Sequence, residues 1–348
     1  MNPYILALLL FALGLGTTIT FASSHWLLAW MGLEINTLAI IPLMAQNSHP
    51  RAVEATTKYF ITQATAAATL FFGATTNAWL TGQWDINTMA HPVPTTIIVL
   101  ALALKIGVAP LHTWLPEVLQ GLDLTTGLIL STWQKLAPFA LLTQLPLHNH
   151  TLLVLLGVMS TLVGGWAGLN QTQLRKVLAY SSIAHLGWML LIIQFAPTLT
   201  TLALALYLVM TSAAFLTLNL KKATTINALA TSWTKAPLVM AIFPMVLLSL
   251  GGLPPLTGFL PKWLILQELT KQELPLTATL AALTALLSLY FYLRLSYAMA
   301  LTIAPNSTTS IAHWRLLSPQ MTMLLSTSSV AATLLLPISP ALAALLTP

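Results

Sequence analysis

The stretch KIGVAPLHTWLPE, residues 105–117, places a basic side chain and two prolines inside a long apolar segment. An apolar run of about 20 residues, at about 1.5 Å per residue, is long enough to cross the hydrocarbon core of a membrane as a helix. Pro110 and Pro116 remove backbone donors and interrupt such a helix. The stretch therefore predicts a discontinuous membrane helix with Lys105 beside the interruption.

The composition of the whole chain predicts the same environment. Of 348 residues, 57% are apolar and 6% are charged, whereas soluble domains carry about 25% charged residues. The connecting segments are too short for a nucleotide-binding fold. The absence of cysteine excludes disulfides and thiolate-held iron–sulfur clusters. We attribute the net charge of +6 to basic residues that lie on one side of the membrane, and we expect no nucleic acid partner.

Apolar segments recur along the chain and predict an all-α polytopic membrane protein with about eleven transmembrane helices. The first begins near Pro3 without a basic leader, so we expect a membrane helix there and not a cleavable signal peptide. The predicted spans are residues 3–22, 25–45, 58–80, 95–121, 125–144, 150–170, 174–195, 198–220, 236–270, 275–300 and 319–346.

A second proline-rich stretch, PLTGFLPK at 255–262, aligns without gaps with PLHTWLPE at 110–117. The two lie five predicted spans apart and so cross the membrane in opposite directions, which is typical of inverted-repeat transporters with two discontinuous helices. Chance similarity over eight positions is the alternative. We expect inverted five-helix repeats in residues 1–145, broken near Pro110, and 146–300, broken near Pro254, followed by a loop and final membrane helix in 301–348.

Basic residues outside the apolar segments are distributed asymmetrically over the predicted topology. Nine fall on the side of the N-terminus, and Lys271 lies opposite. The positive-inside rule then places the N-terminus on the matrix or cytoplasmic side. The nine are Arg51, Lys58, Arg175, Lys176, Lys221, Lys222, Lys235, Arg294 and Arg315.

Four ionisable side chains lie within apolar segments: Glu34, Lys105, Lys135 and Lys262. Each costs about 2.5–3.5 kcal/mol near the centre of a membrane helix on insertion scales. A structural ion pair between Glu34 and one lysine is one hypothesis, but three lysines outnumber one glutamate. Lysine can release its proton when it is buried, whereas arginine stays protonated. The pattern therefore favours proton exchange, with Glu34 controlling the protonation of Lys105.

Two histidines are candidates for proton relays, because histidine titrates near neutral pH. His112 follows Lys105 within the first proline-rich stretch, and His185 follows two serines, Ser181 and Ser182, by one helical turn. A structural histidine, hydrogen-bonded to serine or to the backbone between helices, is the alternative for each. The other histidines fall at span ends or in loops, where we interpret them as interfacial: His25, His49, His91, His148, His150 and His313.

The strings KIGVAPLHTWLPE at 105–117, GLILSTWQKLAP around Lys135, LRKVLAYSSIAHLGWM at 174–189 and GGLPPLTGFLPKW at 251–263 resemble the antiporter-like membrane subunits of respiratory NADH:ubiquinone oxidoreductase, of the vertebrate mitochondrial type. The resemblance runs over nearly the whole chain. It implies that Glu34 and Lys105 form the acid and base of an input half, that Lys135 is a central relay, and that Lys262 is the terminal residue.

The resemblance also implies where the remaining chemistry lies. We expect no cofactor in this chain, with NADH, FMN, iron–sulfur clusters and ubiquinone bound in other parts of the complex. The expected partners are other membrane-arm subunits, including further antiporter-like chains, and membrane lipids such as cardiolipin. The expected location is the mitochondrial inner membrane, with several membrane passes and the N-terminus facing the matrix.

Two other functions share these sequence features. A free-standing cation/proton antiporter would have the same fold and the same buried lysines, but it would be active in vesicles that contain this protein alone. A structural membrane scaffold would need no proton path, so its lysines would have dry surroundings. Ordered water near Lys105, Lys135 and Lys262 would favour transport.

The predicted topology is tested by labelling accessible lysines and arginines from each side of sealed inner-membrane vesicles. We expect all nine basic residues named above to react from the matrix side, because an odd number of spans with this charge distribution requires it. Labelling of the 221–235 loop from the opposite side would contradict the eleven-span topology.

Overall fold

Every regular element in the described residues is a helix. A computed structural model describes residues 2–46, 49–89, 91–146, 150–230, 232, 237–300 and 322–346. The chain divides into two compact units, Met1–Leu156 and Gly157–Pro348. The predicted loop in 301–321, including His313 and Arg315, and residues His148 and Lys235 lie outside the described residues.

The first unit contains seven described helices, and an eighth includes its boundary with the second unit. These are α1 (Pro3–Ala22), α2 (Trp26–Met44), α3 (Pro50–Thr81), α4 (Pro92–Ile106), α5 (Trp114–Gly121), α6 (Leu124–Ser131), α7 (Trp133–Gln144) and α8 (His150–Gly168). Glycines bring α1 and α2 into close contact, because a Cβ on Gly16 would lie 2.9 Å from the Gly32 carbonyl oxygen. Small residues at such contacts are typical of membrane helix pairs.

The second unit contains the remaining described helices. These are α9 (Leu174–Ile192), α10 (Pro197–Lys221), α11 (Ile226–Ala230), α12 (Pro237–Gly251), α13 (Phe259–Lys271), α14 (Pro275–Ala300), α15 (Met323–Leu334) and α16 (Ser339–Leu346). Six of the described helices begin at a proline, where the missing backbone donor would have no partner within the helix. The six are α1, α3, α4, α10, α12 and α14.

Five described helices are long and apolar enough to cross a membrane: α1, α2, α8, α10 and α14. Three shorter apolar helical segments lie in α4, α12 and α15. Threonine hydroxyls within the helices donate to carbonyls one turn earlier, as Thr211 Oγ1 does to the Tyr207 oxygen at 2.7 Å. This satisfies polar groups that the membrane interior cannot. The prediction of an all-helical membrane protein is thus confirmed.

The structure interrupts helices where the two proline-rich stretches predict it. Helix α4 ends at Ile106 and α5 begins at Trp114, whereas α12 ends at Gly251 and α13 begins at Phe259. Seven residues separate the helices in each case, 107–113 and 252–258. When Pro110 is aligned with Pro255, the two interruptions therefore begin and end at equivalent positions.

Both interruptions begin with the same helix-ending geometry. Gly107 and Gly252 have φ of +84° and +79°, in the left-handed region that glycine tolerates best. The next amides, of Val108 and Leu253, donate to carbonyls five residues earlier at 3.0 and 3.3 Å. This pattern ends a helix while satisfying some of its last carbonyls. Glycine is thus the favoured residue at both positions.

Three predicted spans differ from the observed helices. Helix α3 begins at Pro50, well before the predicted start at 58. The span predicted at 125–144 is divided at Thr132, whose hydroxyl donates to the Leu128 oxygen at 2.7 Å, a bond that bends helices. The last span is divided between α15 and α16 around Pro337, which lacks a backbone donor.

Several basic residues of the second unit lie at one end of it. An antiparallel bridge joins Gln173, just before α9, to Thr225, just after α10. Arg294 in α14 donates to the oxygen of Leu169, which also precedes α9, at 2.6 Å. This arrangement brings Arg294 to the same end as the basic residues that begin α9 and end α10: Arg175, Lys176, Lys221 and Lys222.

Substitution of Gly252 by alanine tests how closely the second interruption is packed. A Cβ at this position would lie 2.9 Å from Lys262 Nζ, so overpacking of about 1–3 kcal/mol adds to about 1–2 kcal/mol of left-handed backbone strain. Gly82 is a matched control, since its φ is +74° and a Cβ there would meet nothing within 4 Å. We expect G252A to lower the midpoint of thermal unfolding of the purified membrane protein more than G82A does. Equal effects would show that Lys262 does not pack on Gly252.

Candidate functional site

Glu34 and Lys105 face each other within the first unit. The Lys105 Nζ and Glu34 Oε1 atoms are 3.9 Å apart, with 1% of the lysine side chain and 25% of the glutamate side chain exposed. Thr37 Oγ1, one turn along α2, donates to the Glu34 carbonyl at 2.9 Å and to its carboxylate at 3.3 Å. The structure therefore brings together the acid and the base that the sequence analysis paired.

Side chains from α3 and α5 satisfy the carbonyls at the end of α4. Gln63 Nε2 donates to the Lys105 backbone oxygen at 3.4 Å. Trp114 Nε1 donates to the Leu104 oxygen at 3.0 Å. The ring of Trp114 also meets Tyr59 edge-on, with centroids 5.8 Å apart. These contacts hold the helix end that carries Lys105.

Lys135 lies on α7, three residues after the division at Thr132, and is 2% exposed. It lines the same small cavity as Lys105, of about 10 Å³. That volume is about what one water molecule needs, and a buried water needs two to four polar partners. Polar side chains supply the partners. The other polar residues in the lining are Asn36, Thr37, Tyr59, Gln63 and Gln134.

The sequence analysis did not identify Asn36, Tyr59 or Gln63 as parts of the site. Gln134 Nε2 of α7 donates to the Asn36 backbone oxygen of α2 at 3.3 Å. This hydrogen bond fixes α7, which carries Lys135, against α2, which carries Glu34. A polar residue in an apolar run signals burial or a polar contact, but the sequence does not say which helix it faces. Only the packing of α2, α3, α4 and α7 shows that these residues share one cavity.

Lys262 lies in the second unit, at the start of α13. It is partly buried, and its Nζ donates to the Gly251 carbonyl oxygen at 2.7 Å. That carbonyl ends α12, so the lysine satisfies a backbone group released by the interruption. Thr257, also within the interruption, donates its hydroxyl to the Ala332 carbonyl of α15.

His112 lies within the first interruption and is half-buried. Its side chain is hydrogen-bonded to the Pro110 backbone. Among the described residues, it does not line the cavity that contains Lys105 and Lys135. The hydrogen bond to Pro110 supports a structural role for His112 more directly than it supports a proton relay beside Lys105.

His185 lies on α9 beside two buried tyrosines of the second unit. Its ring is 5.6 Å from that of Tyr207. The hydroxyl of Tyr207 is hydrogen-bonded to Ser182, whereas the hydroxyl of Tyr292 lies near Ser181 and has no hydrogen-bond partner among the described residues. Both tyrosines are fully buried. The sequence analysis identified the serines but missed the tyrosines, which come from α10 and α14.

The described histidines outside these sites lie at helix starts. His25 and His49 accept hydrogen bonds from Leu27 N and Arg51 N, at 3.1 and 3.2 Å, and so cap α2 and α3. His91 immediately precedes α4. His150 is the first residue of α8, and its side chain is not among those that the structure describes. His25 also stacks on Trp84, with centroids 5.6 Å apart. Capping explains the positions of His25 and His49 without a catalytic role.

Two family models together match most of the chain. The model described as NADH:quinone oxidoreductase/Mrp antiporter, TM, matches residues 23–288. The model described as NADH dehydrogenase subunit 2 C-terminus matches residues 289–343. The first match includes Glu34, Lys105, Lys135 and Lys262 and both interruptions.

Individual proteins give the same result. NADH-ubiquinone oxidoreductase chain 2 of Tetraodon nigroviridis is 74% identical over 340 residues, covering 98% of each chain. That of Salmo salar is 70% identical over 348 residues, covering 100% of each. A chain in the structure of respiratory complex I from Thermus thermophilus with bound Aureothin has a TM-score of 0.87 at 30% identity. The alignment covers 98% of this chain and 80% of that one.

Proposed function

We propose a proton route for this chain on the premise that it belongs to the NADH-ubiquinone oxidoreductase chain 2 family, within the antiporter-like membrane proteins. The resemblance found in the sequence is thus confirmed. The chain is an antiporter-like, proton-translocating subunit of an H⁺-translocating NADH:ubiquinone oxidoreductase. We propose which residues of the chain carry the proton.

The observation that carries the proposal is the polar cavity shared by Lys105 and Lys135. Glu34, 3.9 Å from the Lys105 amine, favours the protonated lysine, because an opposite charge stabilises the charged form. Withdrawal of the carboxylate would let Lys105 release its proton. A water in the cavity would then carry that proton towards Lys135. Glu34 and Lys105 thus form the input pair, and Lys135 is the relay.

The surroundings of these lysines favour transport over a scaffold role. A scaffold can bury a lysine against one carboxylate, and the Glu34 contact alone fits that function. It has no need for a second buried lysine in the same water-sized, amide-lined space. Asn36, Gln63 and Gln134 provide polar groups that orient water, and this lining supports proton transfer between the two lysines.

In the second unit, Lys262 is proposed as the terminal residue. Its amine meets a backbone carbonyl at the helix interruption, and irregular backbone at membrane depth is tolerated against protein or water. Water at that interruption gives Lys262 a place to deliver a proton towards the far side. His185, with Tyr207 and the two serines, supplies hydroxyl and imidazole groups for a relay within the same unit.

The eleven-span inverted-repeat architecture belongs to the same proposal. It is supported by the two seven-residue interruptions, whose ends correspond in the alignment of Pro110 with Pro255. It is also supported by the matching left-handed glycines that begin them. The residue aligned with Lys262 is Glu117, which binds Lys58 of α3 at 2.8 Å. The repeats thus place different ionisable groups at equivalent positions.

The named relatives support a proposed location and a proposed set of partners. We place the chain in the mitochondrial inner membrane as a multi-pass protein with its N-terminus facing the matrix. Its partners are other membrane-arm subunits, including further antiporter-like chains, and membrane lipids such as cardiolipin. NADH, FMN, iron–sulfur clusters and ubiquinone are bound elsewhere in the complex.

Lys135→Arg tests the relay, because arginine keeps the charge but cannot release its proton at accessible pH. We expect the rate of NADH-driven proton translocation by the assembled enzyme in proteoliposomes to fall by about 100-fold, the lower range of what a positioned proton-transfer group contributes. Lys58→Arg is a matched control on an exposed ion pair and should retain translocation. Full activity of K135R would contradict the relay, because the positive charge of Lys135 would then be sufficient without proton release.

Lys262→Met tests the terminal residue in the same assay. We expect translocation to be lost, because methionine keeps much of the side-chain length but has no proton to exchange. Lys271→Met on the same helix is the control, since that side chain is 61% exposed. Unchanged translocation by K262M would assign Lys262 to stabilising the interruption alone.

A further inference from the structure

We propose that Asn36 is a positioning residue of the proton route, whose side-chain amide holds a water molecule between Lys105 and Lys135. The proposal rests on the function proposed above. Asn36 is 2% exposed and lines the cavity that both lysines line. It carries no charge, so it acts by orienting water and not by taking up the proton.

The hydrogen bonds of the cavity single out this residue. Three amide side chains lie in the lining. Gln63 donates its Nε2 to the Lys105 backbone oxygen, and Gln134 donates its Nε2 to the Asn36 backbone oxygen. By contrast, neither the Oδ1 nor the Nδ2 of Asn36 has a hydrogen-bond partner among the described residues. Buried polar groups in native proteins are paired with protein or with ordered water.

The packing around Asn36 limits what its partner can be. A Cβ on Gly16 of α1 would lie 2.6 Å from Asn36 Oδ1, so the amide is pressed against a glycine on one side. The cavity that Asn36 lines is the size of about one water. An amide can donate to that water and accept from it. It can therefore hold the water whichever lysine carries the proton.

The position of Asn36 on α2 links this water to the input pair. Glu34 precedes Asn36 by two residues on the same helix, and Thr37 follows it with a hydroxyl bonded to Glu34. A shift of α2 that withdraws the Glu34 carboxylate from Lys105 would also move the Asn36 amide. Release of the Lys105 proton and the orientation of its acceptor water are thereby coupled.

The pair Asn36→Thr and Asn36→Val tests the proposal, since the two side chains share a branched shape and differ in one hydroxyl. We expect the assembled N36T enzyme to translocate protons several-fold faster than N36V, because threonine still binds water. Asn77 is a matched control. It is fully buried on α3, its Oδ1 has no partner among the described residues, and it lies outside the cavity lining. N77T and N77V should not differ.

Equal translocation by N36T and N36V would overturn the proposal, because packing alone would then explain the residue. If K135R is impaired in the same assay, the proton route stands and only the role of Asn36 fails. If K135R is also fully active, the route itself fails. Should the threonine and valine enzymes not assemble, Asn36→Ser and Asn36→Ala repeat the comparison without crowding Gly16. Equal rates in that pair would overturn the proposal as well.

Discussion

Backbone carbonyls released where a membrane helix stops need donors from within the protein, since the hydrocarbon offers none. In each unit, a lysine lies next to such a helix end. At the end of α4, Trp114 and Gln63 donate to the carbonyls of Leu104 and Lys105. At the end of α12, Lys262 itself donates to the Gly251 carbonyl. The interruptions thus determine where Lys105 and Lys262 lie, and a continuous helix would place these two lysines elsewhere.

The cost of burying charge imposes a second requirement on the first unit. Lys105 is almost completely enclosed, and Glu34 is the acid beside it. Lys135 is equally enclosed and shares a polar cavity with Lys105. A buried lysine can offset its desolvation by pairing with a carboxylate, by hydrogen bonding, or by losing its proton. Two lysines around one water-sized space support the proposed movement of a proton between them.

Much of the fold could be predicted because helix limits in membranes follow local chemistry. The predicted bounds of α1 and α14 agree with the structure, since proline begins each helix and an apolar run continues it. The interruptions were predicted from prolines, although glycines at 107 and 252 set where they begin. The division at Thr132 was missed, because threonine is common within these helices and its bond to the carbonyl one turn earlier, here that of Leu128, also occurs in the unbroken helix α10.

The members of the candidate site that could be predicted from the sequence were the charged residues and His185 with its two neighbouring serines. Glu34, Lys105, Lys135 and Lys262 stand out because charge in an apolar segment is expensive. Asn36, Gln63, Tyr207 and Tyr292 did not stand out, since neutral polar and aromatic residues occur throughout the helices for packing. Their roles depend on which helices face each other, and a single sequence does not carry that information.

Proton transfer between the two lysines requires that a hydrated polar space join Lys105 to Lys135. A high-resolution map of the assembled enzyme tests it most directly, since ordered water is visible there without any substitution. We expect an ordered water in the cavity, within hydrogen-bonding distance of at least one of the two amines and of an amide in the lining. Two amines enclosed by dry apolar side chains, with no ordered water between them, would contradict it.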